Sequence, residues 1–154
     1  MKHSSFKEPM PFYSGCFVCG NENNRGLRCR FFKEGQEATA ILRTEPWMVG
    51  YEGIVHGGII GTVLDEALIW GAYAATGRFG MTAEITIRFL HPLYVASTCA
   101  VVGKLKENKG KIWIVEGWMV FDNKTEIAKA EGKVLPMKPE QEEAFKAKLA
   151  YFNE

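Results

Sequence analysis

His56-Gly57-Gly58-Ile59-Ile60-Gly61-Thr62-Val63-Leu64-Asp65-Glu66-Ala67-Leu68 decides how the chain is read. It is the long segment before the C-terminus whose apolar residues follow a helical rather than a strand period. Small or apolar residues continue at Gly71, Ala72, Ala74 and Ala75, so nearly the whole circumference is apolar, and a helix of that kind is expected to be buried. From His56 to Thr76 it would run roughly 30 Å at about 1.5 Å per residue, the width of a small domain. Two carboxylates, Asp65 and Glu66, stand about 100° apart around this rod, so at most one shares a face with a given partner. At least one is expected to reach a polar crevice.

Working outward, the flanks alternate with a period of two. Leu27, Cys29 and Phe31 oppose Arg28 and Arg30, and Glu34-Gly35 turns that strand into a second from Glu37 to Arg43. Pro46 breaks the pattern, and Trp47 to Gly53 is a loop leading into the helix, which Gly77 can cap in the left-handed conformation. Beyond it, Met81, Ala83, Ile85, Ile87 and Phe89 alternate with Thr82, Glu84, Thr86 and Arg88, and Pro92 ends this strand. Three more strands follow, about Ser97 to Lys106, Lys111 to Phe121 and Glu126 to Leu135, separated by Asn108-Lys109-Gly110 and Asp122-Asn123-Lys124. The strand from Lys111 carries bulk on both faces, so one face is expected to need a cover from outside the chain. Glu140 to Phe152 reads as a short amphipathic helix with Ala144, Phe145, Ala147, Leu149 and Phe152 on its apolar side.

Two strands, a buried helix and four antiparallel strands predict an α+β chain in which a curved antiparallel sheet wraps one long central helix. That is the hot-dog fold, closed by a short C-terminal helix. At 154 residues and 47% hydrophobic, the chain is long enough for one domain that buries roughly 68–70% of its unfolded surface. The expectation is a single domain over residues 1–154, with 1–26 as an N-terminal loop segment and 137–154 carrying the C-terminal helix. A formal net charge of +1 offers no electrostatic footprint for nucleic acid or a membrane surface. Met1 to Gly15 lacks the apolar core of a signal peptide, and no apolar run approaches the ~18 residues that span a bilayer. A cytoplasmic protein is expected.

The four cysteines are Cys16, Cys19, Cys29 and Cys99. Cys16-Phe17-Val18-Cys19-Gly20 has the spacing of half a zinc ribbon, but no second pair and no His-x3–5-His follows it. No metal is therefore expected, and the cysteines are read as small buried or turn residues.

His56-Gly57-Gly58 followed by Asp65, opening a buried helix in this strand order, resembles the hot-dog acyl-CoA thioesterases of the phenylacetate-pathway type (4-hydroxybenzoyl-CoA thioesterase-like). Cys16-Phe17-Val18-Cys19-Gly20 to Gly26-Leu27, and Arg88-Phe89-Leu90-His91-Pro92-Leu93, carry the same resemblance. It implies hydrolysis of an acyl-CoA or similar thioester to free acid and thiol. The N–H of Gly57 would polarise the thioester carbonyl, and Asp65 would act as nucleophile or as general base for water. No cofactor is implied beyond the coenzyme A of the substrate. Family members often place Asn or Gln six residues before the motif histidine, where this chain has Gly50. Tyr51, Glu52 or Thr62 are the candidate substitutes, and Thr82 sits where the family often has a hydroxyl residue.

The residues support this chemistry independently. A helix N-terminus presents unpaired N–H groups and partial positive charge to the oxygen of a tetrahedral intermediate. Gly57 and Gly58 leave the backbone open to a carbonyl. Burial of Asp65 would make it a better proton acceptor near neutral pH. Asp65 lies eight residues beyond Gly57, about 12 Å along the helix, whereas one carbonyl carbon must sit within roughly 3–4 Å of both groups. A homodimer with shared sites follows, Gly57 of one subunit facing Asp65 of the other, with tetramers as pairs of dimers.

Glu66 is the reserve acid, though a structural carboxylate is expected there. His56 is expected to fix the turn, since a helix N-terminus disfavours an imidazolium. Trp70, Tyr73, Tyr51 and Trp47 are candidates for an acyl pocket, against the plain alternative of core aromatics. Arg88 is a candidate contact for coenzyme A phosphates. Two other functions compete: a non-catalytic acyl-thioester binding module, for which Gly50 is the hint, and a hot-dog enoyl or 3-hydroxyacyl thioester hydratase or dehydratase, whose usual Asp-x4-His pattern is missing.

Overall fold

A computed structural model describes residues 6–151, and in it the apolar segment forms one helix, α1, Gly57–Thr76. His56 caps its start: the imidazole Nδ1 accepts the Gly58 N–H at 2.8 Å, satisfying one of the amides that a helix N-terminus leaves free. Gly77, at φ 69°, ends the helix and donates its N–H to the Tyr73 carbonyl, in the left-handed conformation that glycine adopts at little cost.

Around α1 runs a seven-stranded antiparallel sheet: β1 Glu8–Pro9, β2 Phe31–Glu34, β3 Glu37–Arg43, β4 Gly80–Phe89, β5 Thr98–Asn108, β6 Trp113–Phe121 and β7 Thr125–Pro136. The strand order is β1-β2-β3-β5-β6-β7-β4, and a second helix, α2, spans Pro139–Lys146. This is the hot-dog fold expected from the sequence. The turn between β6 and β7 places Asp122 and Asn123 at φ 53° and 54°, the pair of left-handed residues that a tight hairpin requires.

Ile60, Val63, Leu64, Ala67, Leu68 and Ala72 are buried between helix and sheet with Leu42, Val101, Val115 and Met119. Glycines bring the two layers into backbone contact. A Cβ on Gly103 of β5 would overlap the Ala67 carbonyl oxygen, and one on Gly71 would lie 2.5 Å from the Gly103 carbonyl carbon.

Several details differ from the expectation. α1 is not covered all round, because Asp65 and Gly58 are exposed and Gly61, Thr62 and Ile69 only half-buried along one stripe. The strand expected from Leu27 begins at Phe31: Leu27 and Cys29 are buried as alternation predicts, but Arg28 takes φ 53° and removes the segment from the ladder. The N-terminal segment contains the short strand β1, paired with β2. The C-terminal helix is shorter than expected, and Ala150 instead pairs with Phe12 in an isolated bridge. Phe152, placed on that helix from the sequence, and residues 1–5 of the N-terminal segment lie outside the described residues.

On β6, Trp113, Val115 and Met119 face the helix, while Ile114, Trp118 and Val120 stay half-buried on the outer face. In β4 the ladder register shifts between Thr82 and Glu84, a bulge that changes which side chains face inward. Met81 is consequently 63% exposed and Thr82 turns towards the core, the reverse of the alternation read from the sequence. Its Oγ1 is buried with no hydrogen-bond partner among the described residues.

Candidate active site

The loop from Gly50 to His56 is folded against the start of α1 by its own backbone bonds. Gly50 N–H donates to the Ile54 carbonyl at 2.9 Å, and His56 N–H donates to the Met48 carbonyl at 2.7 Å. The Ile59 and Ile60 amides reach back to the His56 carbonyl, and Gly58 N–H is taken by the His56 imidazole. Gly57 N–H is the helix-opening amide left without an acceptor among the described residues. It borders a cleft of about 330 Å³ lined by Tyr51, Ile54, Ile60, Phe89, Leu90 and His91, among others. A largely apolar cleft with a helix N-terminal amide in its lining suits an acyl group whose carbonyl oxygen needs a donor.

Gly50 touches this arrangement through His56. A Cβ at position 50 would sit 3.1 Å from His56 Cδ2 and 3.2 Å from its Cα, so an Asn or Gln there would press tightly on the capping histidine, which would have to give by a few tenths of an ångström. A side chain at Gly58 would come within 2.9 Å of His56 Nδ1 and disturb the same cap. Gly57 has more room: a Cβ there would make an ordinary 3.4 Å contact with Phe89.

Asp65 is exposed, not buried, which corrects the expectation that its own chain would desolvate it. It shares the open stripe of α1 with Gly58 and Thr62, whose hydroxyl donates to the Gly58 carbonyl at 2.7 Å. Tyr51 is 83% exposed at the rim of the cleft. Thr82 points inward from β4, and Arg88 lies on the outer face of the sheet in a separate cleft with Glu116, Trp118 and Lys129.

Glu66 and Trp70 leave this site altogether. Glu66 points to the other side of α1, where its Oε1 accepts the Trp70 indole N–H at 2.9 Å and lies 3.5 Å from Cys16 Sγ. Burial, then the neighbouring Cys16 charge, pushes its carboxyl up to about 7. The Cys19 thiol and the N–H groups of Cys19 and Val18 pull Cys16 down to about 5 against its burial, while Cys19 itself is pushed up by that same hydrogen bond and by burial. Burial and the Glu66 charge raise Cys29 to about 12. Trp70 packs edge-on to Tyr73 and Phe79 at 5.4 and 5.5 Å between centroids, so it is a core aromatic of this second cluster.

The sequence reading missed one basic cleft. Arg25, Arg28 and Arg43 line a cavity of about 730 Å³ together with Trp47 and Glu45. Arg25 and Arg28 come from the loop before β2 and Arg43 from the end of β3, and no spacing in the sequence groups all three.

Residues 52–122 match the family model described as the thioesterase superfamily. Acyl-coenzyme A thioesterase THEM4 of Bos taurus is 28% identical over 128 residues, covering 81% of this chain and 52% of its own. The chain spans about half the length of the curated relatives it matches. Among solved structures, the thioesterase superfamily protein RHA08564 superposes with a TM-score of 0.74 at 24% identity, over 79% of this chain and 60% of that one. The PaaI protein from the E. coli phenylacetic acid degradation operon does so at 0.68 and 17% identity, over 77% and 88%. The resemblance read from His56-Gly57-Gly58 and Asp65 is thereby borne out: the chain has the hot-dog fold, and its central residues match the thioesterase superfamily.

Proposed function

We propose that the protein hydrolyses an acyl-CoA, or a similar acyl thioester, to free acid and thiol. The observation that carries this reading is the Gly57 N–H, without an acceptor among the described residues, in the lining of the apolar cleft. A thioester carbonyl entering there would accept that N–H, and the negative charge of the tetrahedral intermediate would face the helix N-terminus. Asp65 supplies the carboxylate: it takes a proton from the attacking water, or attacks directly and is freed by water afterwards, while the coenzyme A thiolate departs. The similarity to a named acyl-coenzyme A thioesterase supports this substrate class. No group beyond the coenzyme A of the substrate is needed for these steps.

Gly57 and Asp65 sit about 12 Å apart along one helix, so the site is completed by a second copy. Two features favour such a dimer. β4 is an edge strand with Met81 and Phe89 63% and 55% exposed, and unpaired apolar edges invite pairing with another chain. The open stripe of α1 holds Asp65 itself. A second reading, an acyl-thioester binding module, is favoured by Gly50, which brings no side chain to hold a water beside His56.

The test is thiol release from short, medium, long-chain and aryl acyl-CoAs by wild type and Asp65→Asn, with sedimentation to establish that both are dimers. Turnover by wild type and a loss of ~10²-fold or more in the variant, the scale of a missing acid–base group, supports the proposal. Binding without thiol release from any substrate replaces it with the binding module.

A further inference from the structure

Cys16 and Cys19 stand on a tight turn that the rest of the chain does not require for the thioester site. Val18 N–H and Cys19 N–H both donate to Cys16 Sγ at 3.4 Å, and Gly20 N–H closes the turn on the Cys16 carbonyl at 3.0 Å. Position 20 admits no side chain, since a Cβ there would meet Cys16 N at 2.6 Å. Two N–H groups aimed at the first sulfur of Cys-x2-Cys-Gly neutralise part of a thiolate charge, which is what a metal-binding cysteine turn needs. From across the core α1 brings Glu66. The two Sγ atoms and a Glu66 carboxylate oxygen all lie within 4.8 Å of one another.

The separation of Cys16 and Glu66 fits a tetrahedral ion. With about 2.3 Å for a zinc–sulfur bond and about 2.1 Å for a zinc–oxygen bond, tetrahedral angles put a sulfur and an oxygen ligand roughly 3.6 Å apart; Cys16 Sγ and Glu66 Oε1 are 3.5 Å apart. The Trp70 indole N–H on Glu66 Oε1 orients the carboxylate from behind, as outer hydrogen bonds commonly do for metal ligands. The three residues border a cavity of about 230 Å³ with Tyr13, Ile69 and Phe79, which leaves room for a fourth ligand such as water.

We propose that Cys16, Cys19 and Glu66 bind one thiophilic divalent cation of the zinc type, which ties the N-terminal cysteine turn to the middle of α1. The ion anchors; it does not touch the cleft at Gly57. The proposal stands independently of thioester hydrolysis, and its test reads metal, not activity.

The protein of residues 1–154, grown with added zinc and purified under reducing conditions, is analysed for metal content, then stripped with a chelator and titrated with Co2+. The expected result is about one zinc per chain, and on cobalt a visible spectrum of tetrahedral type with near-ultraviolet thiolate charge transfer. Cys16→Ser, Cys19→Ser and the nearly isosteric Glu66→Gln lose the bound zinc, while Cys99→Ala retains it. Reduced wild type that binds neither zinc nor cobalt overturns the proposal. So does a cobalt spectrum unchanged by Cys16→Ser, or a Cys16–Cys19 disulfide as the stable form in metal-replete protein. The cobalt titration of wild type decides the matter even where a variant fails to fold.

Discussion

Gly57→Pro isolates the one donor on which the proposed chemistry depends. Gly57 is the first residue of α1, a position where proline is tolerated because its missing N–H has no helical acceptor to lose. The residue before a proline must be extended, and His56 already is, at φ −60° and ψ 133°. A Cβ at position 57 makes only a 3.4 Å contact with Phe89. The substitution is therefore expected to leave stability unchanged or to raise it by about 0.4–1 kcal/mol through the unfolded chain. If Gly57 N–H holds the oxyanion, kcat falls by roughly 10²–10³-fold, about 2.7–4 kcal/mol, the range for losing one such donor. Gly57→Ala adds the same Cβ but retains the N–H, and should lose far less. Thiol release and thermal melting on the three proteins complete the assay. A folded Gly57→Pro with kcat within about threefold of Gly57→Ala would refute the role of this amide.

Two further predictions concern groups around the site and the C-terminal helix. His56 is read as a cap and not as a base, so His56→Asn, which can still cap α1, should retain activity, whereas His56→Ala should lower stability by about 1 kcal/mol; equal losses of ~10²-fold in both would make His56 a proton acceptor instead. Glu142 is buried in α2, where its carboxylate takes the Phe79 N–H at 2.7 Å and meets Arg78 and Lys146 at 3.4 and 3.7 Å. Burial alone would raise this carboxyl, but those partners hold it below the usual range. Its contribution is present above the unfolded pKa of about 4.3 and disappears as pH falls through the lower folded value. Glu142→Ala should melt earlier than wild type at pH 7, by an amount corresponding to about 1–3 kcal/mol for a buried donor left unpaired. The gap should narrow on acidification below about pH 4; a gap that widens there contradicts the linkage.

The helix was legible because its signal is local: apolar residues at a period of 3.6, a capping histidine and a terminal glycine sit within one stretch. Strands β3 to β7 were legible for the same reason, down to the Asp122-Asn123 turn. What escaped depended on single backbone departures or on distant residues. Arg28 in the left-handed region leaves the alternation of Leu27 and Cys29 intact while removing their strand. The register shift next to Thr82 inverts its orientation without altering composition. Adjacent carboxylates on α1 announce two directions but not which is buried: Asp65 faces outward, and Glu66 finds Cys16 at a separation of 50 residues. No spacing rule links a Cys-x2-Cys turn to a glutamate that far along the chain, so the third donor of that cluster was invisible until the packing of α1 against the cysteine turn brought it in.

The contact between the Ala67 carbonyl and Gly103 acts as a ruler. Ala67 lies ten residues beyond Gly57, about 15 Å along α1, and there the helix rests on β5 backbone to backbone. Between those two points Ile60, Val63 and Leu64 fill the space beneath the helix, so an acyl tail whose carbonyl sits at Gly57 would find that side closed. The tail would be left to the open stripe outside, and Gly71 and Gly103, by letting the two layers close on each other, would shape its path without touching it.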